Sequence, residues 1–397
     1  GAQREPQAQH DATSLAIAPA ALATSAAATA AASSAHHSTR EAEHLAEASR
    51  VLLRRISRKD DVHFHLSGAE ALQAAARLLR VNTGRPLLVT FGGAAHGWSD
   101  GVQAEGLTLG DEHYACNVLT LRERCSSTLA VLRLRREEIA AVLVSPLHGI
   151  AIGDADDATH RVSERTAYRR WLHELRVTCT RCDVPLVFDE TATGFHLGRD
   201  GVQSHFGVEA DVVCYGKSAG GGLPLGVVCG PSALLAPSEP RLPLRAGAAQ
   251  GSGGASEHLA LMACAHACLL QLAGAAPGAD AQHDAVVERW TEGVNAELRA
   301  AALPLRVVSE GGLWSIRFLR ASRFHFLLMG YLALHLARSG TAVEWVGPRR
   351  LAIGRACTAE QLDALRHALV QSALAMVEHG WWAAPEEGGS GGRRSEG

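Results

Sequence analysis

Two residues in this chain stand at the ends of apolar runs, where a side chain can do chemistry. Lys217 interrupts DVVCYGKSAGGGLPLG, a strand-like segment that gives way to a glycine cluster. Asp189 closes the apolar run of PLVFDETATGF. A lysine delivered to a loop whose backbone approaches a ligand closely is a Schiff-base candidate. A strand-end carboxylate can hold a pyridine nitrogen protonated, so that the ring works as an electron sink. One such amine and one such carboxylate on alternating strands point to pyridoxal 5'-phosphate (PLP) chemistry. Each also has a plain structural reading. Asp189 is as good a core salt-bridge partner or helix cap. A lysine at a buried strand end is harder to account for, since burial of its charge is costly.

Two further segments belong with these. SGAEA at 67–71 lies between a strand and a helix N-terminus. The N–H groups of Gly68 and Ala69 and the hydroxyl of Ser67 suit a phosphate there, while the plain reading makes Ser67 an N-cap. GGAAHGWSDG at 92–101 is a polar, glycine-rich loop carrying His96. Its histidine either lies against a ring, orients a partner, or is exposed and idle.

The elements that must position these residues alternate. Helices are expected at Glu41–Arg55, Ala71–Arg80 and Tyr168–Arg176. Strands are expected at Val62–Leu66, Leu87–Phe91, Ile139–Val144, Leu186–Phe188 and Val212–Tyr215. Periods of 3.6 and 2 that alternate in this way predict an α/β fold, with a mainly parallel sheet and helices on both faces. Ligands bind beyond the carboxyl ends of such strands, where Ser67, His96, Asp189 and Lys217 all fall. From about residue 304 the texture changes to a strand at Leu313–Phe318, a helix at Phe326–Arg338, and short strands around Val343 and Leu351. A last helix, Ala359–His379, opens with a Thr358/Gln361 capping box. The expected organisation is a linker over 1–38, a large domain over 39–303, a small α+β domain over 304–383 and a flexible tail over 384–397.

Composition narrows the function classes. The 397 residues are 47% hydrophobic and 20% charged, with a net charge of −3. That balance gives no electrostatic case for nucleic acid or an anionic membrane, and no apolar run is long enough to span a bilayer. Nine scattered cysteines read as reduced, intracellular thiols rather than a disulfide framework. Cys179 and Cys182 form a CxxC without a second pair. The Ala/Ser/Thr-rich stretch at 15–35 has the acid-poor look of a plastid transit peptide but too few arginines, and reads as a disordered linker. Linker-like stretches at both ends fit a piece of a larger multidomain polypeptide.

SGAEALQAAARLLRVNTGR, HGWSDG, FDETATGF and YGKSAGGGLPLG, in this order and spacing, resemble the class III PLP-dependent aminotransferases. The resemblance runs from about Thr39 to Val370. It is strongest to the branch of glutamate-1-semialdehyde aminomutases and of aminotransferase domains embedded in polyketide and peptide synthetases. It implies PLP fold-type I, with Ser67, Gly68 and Ala69 at the phosphate, Asp189 at the pyridine nitrogen and Lys217 as the Schiff base. It also implies small-molecule amine and carbonyl substrates and a homodimer with sites at the subunit boundary. The chain departs from the family pattern at several points. Ala95 stands where an aromatic residue stacks on the ring, and Thr191 where a valine packs the other face. His196 stands where an arginine follows Gly-Phe, and Ser145-Pro146 replaces Glu-Pro. The threonine given to the neighbouring subunit's phosphate falls near Ser252 or Gly253. Amino-group transfer is the expected activity. An intramolecular aminomutase, and a domain that keeps the fold without the catalysis, are the alternatives.

Overall fold

The structure is a computed structural model. It describes residues 35–99, 101–102, 117–147, 158–236, 254–319, 330, 333–334, 336–338, 344–347 and 350–380. Seven strands make the main sheet: β1 (Asp61–His65), β2 (Leu87–Phe91), β3 (Val118–Leu121), β4 (Ile139–Val144), β5 (Leu186–Glu190), β6 (Val212–Gly216) and β7 (Gly226–Gly230). Their spatial order is β1-β7-β6-β5-β4-β2-β3. The β2–β3, β2–β4, β4–β5 and β5–β6 pairs are parallel, and β7 runs antiparallel to both β6 and β1. β1 and β6 therefore end at the same edge, as the expected α/β architecture requires.

Every residue of β2, β4, β5, β6 and β7 is buried. That is why these strands read as continuous apolar runs rather than alternating ones: both faces are covered. One cover is helix α1 (Ala35–Ser57), packed on the helix Leu259–Ala273. Another is helix α2 (Gly68–Thr83). Ala71, Leu72, Ala75, Ala76 and Leu79 recur on its buried face, at the spacing of an amphipathic helix. Gly84 stops it in the left-handed conformation at φ 66°, which glycine adopts without penalty. Leu72 and Leu79 are 1% and 0% exposed. Truncating either to alanine costs about 2–5 kcal/mol and loosens the helix that presents Ser67 and Gly68.

A second sheet, in the order β10-β11-β9-β8, is built from β8 (Leu305–Glu310), β9 (Leu313–Phe318), β10 (Glu344–Gly347) and β11 (Arg350–Ala352). Its core includes Trp314, Ile316 and Leu351, together with Val287, Trp290, Val294 and Leu298 of the helix Ala279–Ala300. The helix that seats this sheet thus precedes the change of texture at 304. Thr358 and Gln361 form the expected capping box at the start of Ala359–Glu378. Helices exceed their sequence-based bounds: Tyr168–Arg176 is the middle of Ala158–Arg181. Among the described residues no helix is long and apolar enough to cross a membrane. The eight cysteines among the described residues are free. Burial pushes the Cys179 thiol up to about 12, so this half of the CxxC makes a poor thiolate.

Candidate active site

The site residues gather at the edge where β1, β5 and β6 end. Ser67 caps α2, its hydroxyl accepting the Glu70 N–H at 3.2 Å. The Glu70 carboxylate accepts the Leu66 N–H at 2.9 Å, and the Ser67 carbonyl accepts the Ala71 N–H at 3.0 Å. The N–H groups of Gly68 and Ala69 are the two of the first turn without a partner among the described residues. Ser67 is therefore an N-cap, and the open N–H groups at the start of the helix belong to the glycine and alanine after it.

Asp189 leaves β5 with its side chain 3% exposed. Its Oδ1 accepts from the Thr191 hydroxyl at 2.6 Å and the Thr191 N–H at 3.0 Å. Its Oδ2 lies 2.8 Å from Nδ1 of His96, the only ion-pair partner it has among the described residues. A carboxylate offers about four acceptor positions, and three are taken. His96 is 1% exposed. It orients Asp189, and the reading of an idle loop histidine is overturned: the loop folds inward because a buried carboxylate needs donors. Gly97 helps, since at φ +98° a Cβ there would stand 3.1 Å from that of Ala69.

Thr191 joins the parts. A Cβ on Gly68 would fall 2.8 Å from the Thr191 Cβ, and one on Gly216 would fall 2.8 Å from the Thr191 carbonyl oxygen. Both glycines are the price of bringing α2, β5 and β6 to one point. Lys217 follows Gly216 at φ 38° and opens a 3-10 turn. It is exposed, not buried. The strand ends at Gly216, and the turn carries the lysine out of the sheet.

The remaining sequence-based candidates are placed less centrally. Ala95 is exposed. Ser252 and Gly253 lie outside the described residues. His196 is buried, with Nε2 3.2 Å from the Ser218 hydroxyl. Burial, with His283, Arg355 and Lys217 adding positive charge nearby, lowers its pKa to about 4, so it is neutral at pH 7. It borders a cavity of about 240 Å³ with Phe195, Ser218, Leu272, His283 and Arg355. Sequence reasoning missed the Thr191 hydroxyl and Gly216. The signal for the first was present in FDET: an Asp accepting from the backbone N–H two residues on is a local turn motif.

Known proteins were compared with this chain. The family model for class-III aminotransferases matches residues 19–241. A glutamate-1-semialdehyde 2,1-aminomutase from Hydrogenobaculum sp. (strain Y04AAS1) is 34% identical over 192 residues, which is 45% of this chain and 43% of that relative. The match thus spans less than half the relative's length. A transaminase solved with PLP bound superposes with a TM-score of 0.68 at 22% identity, covering 85% of this chain and 79% of the other. A glutamate-1-semialdehyde aminomutase from Pseudomonas aeruginosa PAO1 gives 0.62 at 22%, covering 83% and 74%. These likenesses agree with the sheet order and its single reversed strand, which is the PLP fold-type I architecture. With more than half its length matched by the family model, the chain belongs to the class III aminotransferases.

Proposed function

We propose that this protein uses PLP to move an amino group from a small-molecule amine to a carbonyl acceptor. The observation that carries the reading is the convergence on Thr191, which touches the positions of Gly68 and Gly216 and bonds Asp189. The cradle fits the cofactor on its own terms. Two helix N–H groups face an incoming phosphate at Gly68 and Ala69. Asp189, buried and with one acceptor position left, suits a cationic ring N–H. Side chains at 68 and 216 would fill the space between these groups. When bound, PLP supplies an electron sink conjugated to the substrate's amine carbon. The protein's work is to hold and to move protons. Helix α2 would hold the phosphate and Asp189 the proton at the ring nitrogen, while His96 and Thr191 hold Asp189. Lys217 would be the attachment amine and would serve as the base for the substrate's proton.

Intramolecular amino transfer is the second reading, favoured by the aminomutase relative. A homodimer with the loop around Ser252 and Gly253 at the boundary, and a place in a multidomain polypeptide, belong to the same proposal. Borohydride reduction of PLP-loaded protein is the test. The adduct is expected on Lys217, and Lys217→Ala should lose turnover with its melting temperature unchanged, since an exposed side chain leaves no cavity. An adduct mapped to another lysine, or none at all, would overturn the reading.

A further inference from the structure

We propose that Thr191 is a positioning residue that acts through Asp189, its hydroxyl keeping the shared proton on the cofactor's ring nitrogen. The inference rests on the proposed PLP chemistry and deepens it. The Thr191 hydroxyl donates to Asp189 Oδ1 at 2.6 Å and stands 3.6 Å from the position of a Cβ on Gly68. Its methyl is the group left facing Gly68, 3.1 Å from the position of a Cβ there. The bond to the carboxylate sets the rotamer, and the missing side chain at Gly68 leaves room for the methyl. Threonine at this position therefore keeps the methyl contact that a valine would offer and adds a donor that a valine lacks.

A short hydroxyl bond to a carboxylate draws electron density from it and weakens it as a base. Between Asp189 and a ring nitrogen that share one proton, a weaker base leaves the proton on the ring. Removing the hydroxyl shifts it toward Asp189, and the ring carries less positive charge. The imine joining ring to lysine then binds its own proton more tightly. The other titratable groups around Asp189 are His96 on the loop, Cys214 opposite it on β6, Glu190 next on β5 and Lys217 beyond β6. A Thr191 substitution alters none of them directly, so a shift reports on Asp189.

The experiment is a pH titration of the visible absorption band of PLP-loaded protein, for wild type, Thr191→Val and Thr191→Ser. Thr191→Ala serves as a second hydroxyl-free variant should valine fold poorly. We expect the midpoint to rise by about one pH unit, a tenfold change in proton affinity, in Thr191→Val and Thr191→Ala. Thr191→Ser, which keeps the hydroxyl and loses the methyl, should titrate with wild type. A merely structural role would move the melting temperature and leave the midpoint alone. Coincident midpoints in all variants, or a serine curve that moves with valine, overturn this inference while the PLP reading stands. A wild type that shows no visible band at millimolar PLP overturns the PLP reading, and this inference with it.

Discussion

Asp189 and Glu190 are consecutive residues at the end of one strand, both acidic and both buried, at 3% and 0% exposure. They point to opposite faces of the sheet. On Asp189's side three donors converge from the loop after β2 and from Thr191. On Glu190's side, among the described residues, one donor is present, the Val202 N–H at 3.1 Å, and Oε1 has no partner. Burial pushes the Glu190 carboxyl up to about 8. Tyr215, opposite Glu190 on β6, also buries a hydroxyl without a partner among the described residues, so this face holds an acid pushed towards its protonated form beside an underused hydroxyl. Burial alone therefore does not make a carboxylate functional. The donor set does, and it differs across one strand's thickness.

The contrast can be broken by mutation. Asp189→Asn should cut amino transfer by roughly ten- to a hundredfold, the worth of a charge-assisted bond, and reduce PLP affinity less. Undiminished turnover would make Asp189 structural. The glycines beside each acid give the next test. Gly68→Ala places a Cβ 2.8 Å from Thr191, and Gly201→Ala places one 2.6 Å from Glu190 Oε2 at φ +68°. Each should cost about 1–3 kcal/mol in urea unfolding. Only Gly68→Ala should also weaken PLP uptake, measured by titration of the apoprotein. Equal effects on uptake would mean that the two faces are not separate.

A third test concerns pH. Folding raises the Glu190 carboxyl from 4.5 to about 8. The folded chain then keeps a proton that the unfolded chain has given up, so stability falls as pH rises from about 4.5 to 8 and levels off above. Glu190→Gln cannot lose a proton there. Its stability relative to wild type should climb between pH 5 and pH 8, read as the difference in urea midpoints. A flat difference would show Glu190 ionised in the fold.

How legible this was in the sequence follows from the same strand. The apolar runs ending on Asp189 and Lys217 located two groups at the working edge, because a strand buried on both faces cannot hide its apolar character. The second core was harder to bound. The helix Ala279–Ala300 seats β8 and β9 yet reads like the helices before it, since partner choice leaves no trace in periodicity. β3, with all four residues half-buried, carried too weak a pattern to be read as a strand. The Lys217 environment was misjudged because the run into Gly216 gives no sign of the turn that takes the lysine outward. The place of Thr191 depended on close approaches to Gly68 and Gly216, which are distant in sequence.

The reversed strand β7 has a consequence for how the molecule is made. Among the described residues β1 is held in the sheet by β7 alone, with Asp61 opposite Gly230 and His65 opposite Gly226. A nascent chain has synthesised Ser67 and Gly68 long before their supporting strand exists, and β1 presents an unpaired edge until then. Contacts between such distant segments form slowly. The phosphate end of the cradle is thus encoded first and assembled last, and a ribosome-bound chain that stops short of Gly230 holds every strand that delivers Asp189 and Lys217 but no seat for β1.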